Sequence, residues 1–284
     1  MKKTNRNLLD SNSARIGKNV LSVLFILYSL IALFLIGNTF LSSFKTRPDL
    51  LNNTLGFPKT FTLDHYHTVL FEDNFMRFFF NSLILASLAL FLLVGCSSMV
   101  AYGLSRFTFK GKNFLRSYFL IGLMFPMQLG ILPLFIILTR LHLNNTLYGV
   151  AILYAANISF PVFVFSNFFR GIPWELSESA KIDGATEFQL FLRIILPIST
   201  PVLFTIGIIN FVTIWNDFYI PLVFLTKSSV KTITLGVYTY MNNFLSTWHL
   251  AFAAVVLALI PVITVFLFFS EQIADGITSG AVKG

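Results

Sequence analysis

"GIPWELSESAKIDGATEFQLFLRIILP", residues 171–197, gathers charge, glycine and proline inside an otherwise greasy chain. The sequence has 12 acidic residues, and four of them (Glu175, Glu178, Asp183, Glu187) lie between 175 and 187. Pro173 suits the first turn of a helix, where its missing N–H would be unpaired anyway. Glu175 follows where the helix dipole favours an acid. Asp183-Gly184 reads as a stop and turn, because Gly takes the left-handed conformation freely. Thr186 and Gln189 have the spacing of a capping box for a second helix. Beyond it Phe188, Phe191, Leu192 and Ile195 recur at helical spacing and predict one apolar face. Pro197 and Pro201 mark the return to apolar sequence. The stretch therefore predicts helix, turn and helix, with small or polar Ser179, Ala180, Gly184 and Ala185 along one side.

On both sides of this island the chain reads as membrane. Of its 284 residues, 56% are hydrophobic and 11% charged, and the mean hydropathy is +0.78. Soluble domains carry about 25% charge, so lipid must be the solvent for most of the chain. The net charge of +8 does not point to nucleic acid. Its basic residues flank apolar stretches instead of gathering on one face, which is membrane-edge anchoring. The lone Cys96 allows no intrachain disulfide.

A helix needs about 20 apolar residues to cross the hydrocarbon core. Charge-free intervals of that size predict spans near 19–41, 78–104, 117–139, 147–168, 200–225 and 250–269. The expected fold is an all-α integral membrane protein of six transmembrane helices. A tail at 1–18 precedes a membrane domain at 19–269, and a second tail follows at 270–284. The first apolar stretch exceeds the roughly 7–15 residues of a signal-peptide core and lacks a small-residue cleavage site, so it reads as a retained helix. With the N-terminus inside, 13 of the 20 Lys and Arg fall on the cytoplasmic side and 7 outside. The positive-inside rule then places both termini, and the 171–197 loop, in the cytoplasm. From the residues alone that loop is either a surface a partner docks on or a solvated connector between two spans.

The stretch resembles the cytoplasmic EAA loop of the membrane subunits of bacterial binding-protein-dependent ABC importers. That pattern is Glu-Ala-Ala, three residues, Gly, nine residues, Ile, one residue, Leu-Pro. Here Glu178-Ser179-Ala180, Gly184, Ile194 and Leu196-Pro197 keep every spacing, with Ser179 in place of the usual alanine. "IPWELSESAKIDGA" looks like the carbohydrate branch of the family. "WNDFYIPL" (215–222) resembles the fifth-helix motif of sugar permeases, and "GITSGAVKG" (276–284) is similar to the tail of the maltose-type second permease subunit.

The resemblance implies a bacterial cytoplasmic-membrane permease for a sugar or oligosaccharide, with a coupling helix between the fourth and fifth spans. It implies three protein partners: a second homologous permease, a cytoplasmic ATPase dimer and an extracytoplasmic sugar-binding protein. In such importers closure of the ATPase dimer around ATP is passed through the loop to spans that alternate between two states. Glu178, Ser179, Ala180, Asp183, Gly184 and Ala185 would form the docking turn. Phe188 and Phe191 would anchor the second helix, and Leu196-Pro197 would set its angle. ATP and Mg would belong to the partner ATPase, since this chain has no GxxxxGK[ST] phosphate loop. No catalytic constellation and no HExxH or CxxC metal pattern occurs either. His65 and His67 read as ordinary loop histidines, and His142 and His249 as polar tips near span ends.

Polar residues inside spans are costly and so are candidates for an aqueous path. They are Asn81, Ser82, Gln128, Asn157, Asn210, Asn216 and Asp217, although hydrogen bonds between helices compete for each. Uncharged amides beside Tyr and Trp suit a neutral polyhydroxylated solute better than an ion. The rival class is a self-sufficient carrier or channel for a small neutral solute. It would be expected to place ionisable groups at membrane depth or to show an inverted repeat. Only Asp217, near a span edge, is of that kind, and no repeat is evident.

Overall fold

The computed structural model describes residues 3–242 and 244–281, with side chains over 17–242 and 247–269. In chain order the α-helices are α1 Lys3–Ser42, α2 Arg47–Asn52, α3 Asp64–His67, α4 Phe75–Arg106 and α5 Lys112–Gly122. There follow α6 Ile131–Arg140, α7 Leu147–Ala156, α8 Ser159–Arg170, α9 Glu175–Ile182 and α10 Glu187–Leu190. The series closes with α11 Leu196–Ile198, α12 Thr200–Asn216, α13 Tyr219–Phe224, α14 Ile233–Met241 and α15 Phe244–Ala281. Among the described residues the only extended pairing is a lone bridge between Lys45 and Phe61. The maltose-type tail signature at 276–284 falls where no side chain is described.

The chain forms two compact units, Met1–Val69 with Tyr240–Val256, and Leu70–Thr239 with Leu257–Gly284. In the first, the Gly17–Ser42 part of α1 holds an 18-residue window of mean hydropathy 2.7, and none of that window is buried within the chain. The segment after α1 folds around Lys45, which the sequence offered only as a flanking cation. Lys45 is fully buried, and its Nζ donates to the carbonyls of Asn53 (2.8 Å) and Thr54 (2.9 Å). A buried ammonium is tolerable only when hydrogen-bonded in this way.

The second unit is organised on α4. Leu85, Ala86, Ala89, Leu93, Ser97, Ala101 and Ser105 are buried at three- and four-residue spacing, the signature of one inward helical face. Small residues there let α7 and α8 approach closely. Ala89, Ser97 and Ala101 are 0% exposed.

Among the described residues three helical segments are long and apolar enough to span a membrane: Gly17–Ser42, Phe75–Arg106 and Thr247–Phe269. Three others qualify only as bent pairs. Lys112–Gly122 with Met127–Arg140 bends by 95°, Leu147–Ala156 with Ser159–Arg170 by 50°, and Glu187–Ile198 with Thr200–Asn216 by 76°. The sequence predicted the first two as uninterrupted stretches, 117–139 and 147–168, whereas the third bend falls where Pro197 and Pro201 were expected to mark the entry to a span at 200–225; proline accounts for all three interruptions. A proline has no N–H to give, its ring clashes with the carbonyl four residues back, and it forces its predecessor out of the helical region. Pro126 sits at the first break in extended conformation (φ −69°, ψ 135°). Pro161 opposes continuation from Asn157, and Pro201 from Pro197. At the third break the freed Pro197 carbonyl accepts the Thr200 hydroxyl at 2.6 Å. The expected fifth span also divides, because α12 ends at Asn216 and α13 restarts at Tyr219.

Candidate functional site

The loop between α8 and α12 takes up the expected helix, turn and helix with its signals satisfied. α9 begins two residues after Pro173 and carries Glu175 and Glu178 in its first turn. It stops at Gly184, whose φ is +83°. The Gly184 N–H bonds the Lys181 carbonyl (3.0 Å) and the Ala185 N–H bonds that of Ala180 (2.9 Å), which is a complete Schellman termination. Thr186 then caps α10: its hydroxyl accepts from the Gln189 N–H (3.3 Å), and the Gln189 side-chain oxygen accepts from the Thr186 N–H (2.9 Å).

The second helix departs from the expected single face. Phe191 and Ile195 are buried, but Phe188 and Leu192 are exposed. The reason is a π-helical turn over Phe191–Ile195, closed by the Leu196 N–H on the Phe191 carbonyl. Its wider winding turns Leu190, Phe191 and Ile195 to one side and leaves Phe188 and Leu192 on the other. Phe191 is thus the anchor and Phe188 is not. The small-residue side divides likewise: Ala180 is buried and Ala185 half-buried, whereas Glu178, Ser179, Asp183 and Gly184 are exposed. Beside them stand uncovered apolar groups, Leu176, Phe188 and above all Ile182, 87% exposed. A Cβ at Gly184 would meet nothing within 4 Å. Leu196 is half-buried and Pro197 exposed at the bend into α12.

Two residues that the sequence reading missed hold this loop to the C-terminal end of α4. The Tyr102 hydroxyl donates to Glu187 Oε2 at 2.9 Å, and Lys181 Nζ lies 2.6 Å from Glu187 Oε1. Lys181, foremost, holds the Glu187 carboxyl below its ordinary value, and the Tyr102 hydroxyl adds to the effect. Arg106 Nη2 donates to the Ile172 carbonyl at 2.9 Å, and its guanidinium carbon is 4.7 Å from the Trp174 ring centroid. The Tyr102 ring packs on Phe191 with centroids 5.1 Å apart. The only sequence signal was that Arg106 ends a span. Nothing in its neighbourhood names a partner 66 residues away.

The seven polar candidates within the spans separate into three groups. Asn81, Ser82 and Asp217 meet a common stretch, 229–234. Asn81 Nδ2 donates to the carbonyls of Ser229 (3.0 Å) and Lys231 (2.9 Å), and Ser82 Oγ accepts from the Ile233 N–H (2.8 Å). The Asp217 carbonyl accepts the Thr234 hydroxyl (2.9 Å). Asp217 Oδ2 accepts from the Tyr154 hydroxyl (2.9 Å), and Oδ1 from the Tyr219 N–H (2.8 Å), which caps α13. Asn210 and Asn216 donate to carbonyls of their own helix, those of Ile206 and Val212. Gln128 and Asn157 are exposed at two of the helix breaks. Among the described residues no group of three or more His, Cys, Asp or Glu is placed to hold a metal ion.

Comparison with known proteins sets this geometry in context. Residues 94–279 match the family described as "Binding-protein-dependent transport system inner membrane component". The chain is 34% identical to the arabinooligosaccharides transport system permease protein AraQ of Bacillus subtilis, over 93% of this chain and 95% of that one. It is 32% identical to the diacetylchitobiose uptake system permease protein NgcG of Streptomyces coelicolor, over 92% and 87%. In fold it is similar to a chain of a bacterial ABC transporter involved in the import of the acidic polysaccharide alginate. There the TM-score is 0.78 at 24% identity, with 91% of this chain and 97% of that chain covered.

Proposed function

The chain belongs to the family of binding-protein-dependent transport system inner membrane components, and from that premise we propose that it moves a sugar or oligosaccharide as the membrane-spanning subunit of an ATP-driven importer. Six spans result if each of the first two bent pairs counts as one and the apolar stretch from Thr200 supplies the fifth, with both termini in the cytoplasm of a bacterial cell. A second homologous permease completes the path, an extracytoplasmic binding protein delivers the sugar, and a cytoplasmic ATPase dimer binds ATP and Mg. This chain is the non-catalytic part of that assembly. The sugar assignment is supported by the names of relatives such as AraQ and NgcG, and by the scarcity of ionisable groups in its spans.

The observation that carries the coupling role is the Schellman turn at Asp183-Gly184. It is exposed, faces open space, and is bordered by the uncovered apolar groups Leu176, Ile182 and Phe188. A solvated connector has no need to hold an 87% exposed isoleucine beside a rigid turn. An ATPase groove would cover it, with Glu178 and Asp183 supplying directed contacts at the margin.

Replacing Gly184 by a bulky residue tests this role. Membrane insertion should be unchanged, while capture of the ATPase and sugar uptake fall together; intact uptake with normal capture would exclude docking at this turn. For the substrate class, the reconstituted complex is assayed for ATP hydrolysis stimulated by the binding protein across a panel of sugars. Stimulation by an amino acid, or by no sugar, would exclude the carbohydrate assignment.

A further inference from the structure

We infer that α4 is the strut that carries movement of the 172–197 loop across the membrane to the 229–236 stretch, fastened by Tyr102 and Arg106 at one end and by Asn81 and Ser82 at the other. This inference rests on the coupling role proposed above for that loop. Five polar fastenings support it. At the C-terminal end Tyr102 bonds Glu187, and Arg106 bonds the Ile172 carbonyl. At the N-terminal end Asn81 donates twice, to the Ser229 and Lys231 carbonyls, and Ser82 receives the Ile233 N–H. Gly236 comes so near that a Cβ on it would lie 2.5 Å from the Phe78 ring. From Ser82 to Tyr102 the helix rises about 30 Å at 1.5 Å per residue.

Of the candidate spans whose residues join the loop's buried cluster, α4 is the unbroken one. Its 32 residues contain no proline and show no break, whereas three other candidate spans bend by 50° to 95°. A hinge absorbs a displacement imposed at one end, and an unbroken helix transmits it. Two buried apolar clusters occupy this unit, and α4 and α12 both contribute to each. But α12 is separated from the loop by the 76° bend at Ser199, so a push on the loop can be lost there. At its far end α4 holds a stretch that also bonds Asp217 through Thr234, and Asp217 in turn takes the Tyr154 hydroxyl. The strut thus ends on a small polar network, well placed to change solute access when it is displaced. Tyr102, Arg106, Asn81 and Ser82 are positioning residues in this scheme. None of them need touch the solute.

The test reads the far end directly. A single labelling site, Ser228→Cys, is placed in a Cys96→Ser background, since Ser228 is exposed and its carbonyl is not one that Asn81 uses. The complex is captured through a tag on this chain with its ATPase co-expressed, transferred to nanodiscs, and reacted with a fluorescent maleimide before and after trapping with MgATP and vanadate. The expected result is a several-fold change in labelling rate on trapping. Tyr102→Phe alone and Asn81→Ala alone should each remove most of that change while the ATPase still co-purifies. The double variant should lose no more than either single, because both interrupt one serial connection. The strut is overturned if the parent shows no nucleotide-dependent change, if either single leaves it intact, or if the two losses multiply as independent sites would. It is also overturned if either variant sheds the ATPase, since those residues would then hold the loop and not transmit its motion. Failure of the unsubstituted chain to capture an ATPase would strike the coupling role itself, and is read separately on the same gel.

Discussion

The two halves of the 172–197 loop have similar length and opposite loyalties. The first, α9 with its turn, keeps only Ser177 and Ala180 buried and shows Leu176, Ile182, Asp183 and Gly184 to solvent. The second, from Thr186 to Ile195, sinks Leu190, Phe191 and Ile195 into the same cluster as Phe165 and Phe169 of α8. One half turns its large apolar residues outward, and the other buries Leu190, Phe191 and Ile195 while leaving only Phe188 and Leu192 uncovered. The lesson is that function and fold are separable here: substitutions in the first half should change what the loop binds, and those in the second whether the loop exists.

The sharpest way to break that separation is to exchange the expected effects. Phe191→Ala removes a ring that is 4% exposed and packed on Tyr102. A buried Phe→Ala typically costs about 3–5 kcal/mol. The thermal midpoint of the solubilised complex should fall, and uptake should fall with it. Ile182→Ser, at an 87% exposed side chain, should leave the midpoint within error while ATPase capture drops. If Ile182→Ser lowered the midpoint and Phe191→Ala did not, the two halves would have been read backwards.

Next in size is Arg106→Met, which keeps much of the apolar stem but strands the Ile172 carbonyl. An orphaned buried acceptor costs about 1–3 kcal/mol, and the contact with Trp174 is lost as well. Protease sensitivity near Gly171 should rise without loss of membrane insertion. A smaller effect is expected of Gly184→Ala. Space is free around that carbon, but a φ of +83° disfavours any side chain, by about 1 kcal/mol. Gly184→Leu carries similar backbone strain, so any further loss of ATPase capture beyond the alanine variant measures the partner's surface and not this chain's stability.

Much of the loop was legible because its signals are local. Asp183-Gly184 and Thr186–Gln189 are stop and start codes readable within a few residues, and both are present with their hydrogen bonds made. The apolar face of the second helix was misread because a regular winding was assumed, and the π turn before Pro197 shifts the register. Tyr102 and Arg106 were invisible for another reason: their partners lie 85 and 66 residues away, and no local pattern encodes such pairs. Hydropathy had the same limit among the spans. The Gly17–Ser42 and Phe75–Arg106 segments score 2.7 and 2.4, yet none of the first window is buried and 33% of the second is. Apolarity reports the solvent, while the small residues at Ala86, Ala89, Ser97 and Ala101 report which helix packs within its own chain.

The smallest expected effect probes the seam between the two halves, where Lys181 of α9 meets Glu187 of α10 at 2.6 Å. The Glu187 carboxyl is held below its ordinary 4.5, chiefly by Lys181. A group whose folded value is depressed stabilises the fold above its unfolded value and loses that contribution as pH falls through the lowered one. The seam should therefore be indifferent to pH from neutrality down to about 5, and should loosen only below Glu187's ordinary range. Because this pair is 49% and 41% exposed, salt screens it, and the change is better read as lower amide protection over 181–188, relative to the intrinsic exchange rate at each pH, than as a shift in global stability. Glu187→Gln should abolish the pH dependence of that protection and weaken its salt dependence, while leaving Phe191 buried. An equal loss of protection throughout α9 and α10 on acidification, unchanged by Glu187→Gln, would mean that the halves melt as one unit and the seam between them carries no separate contact.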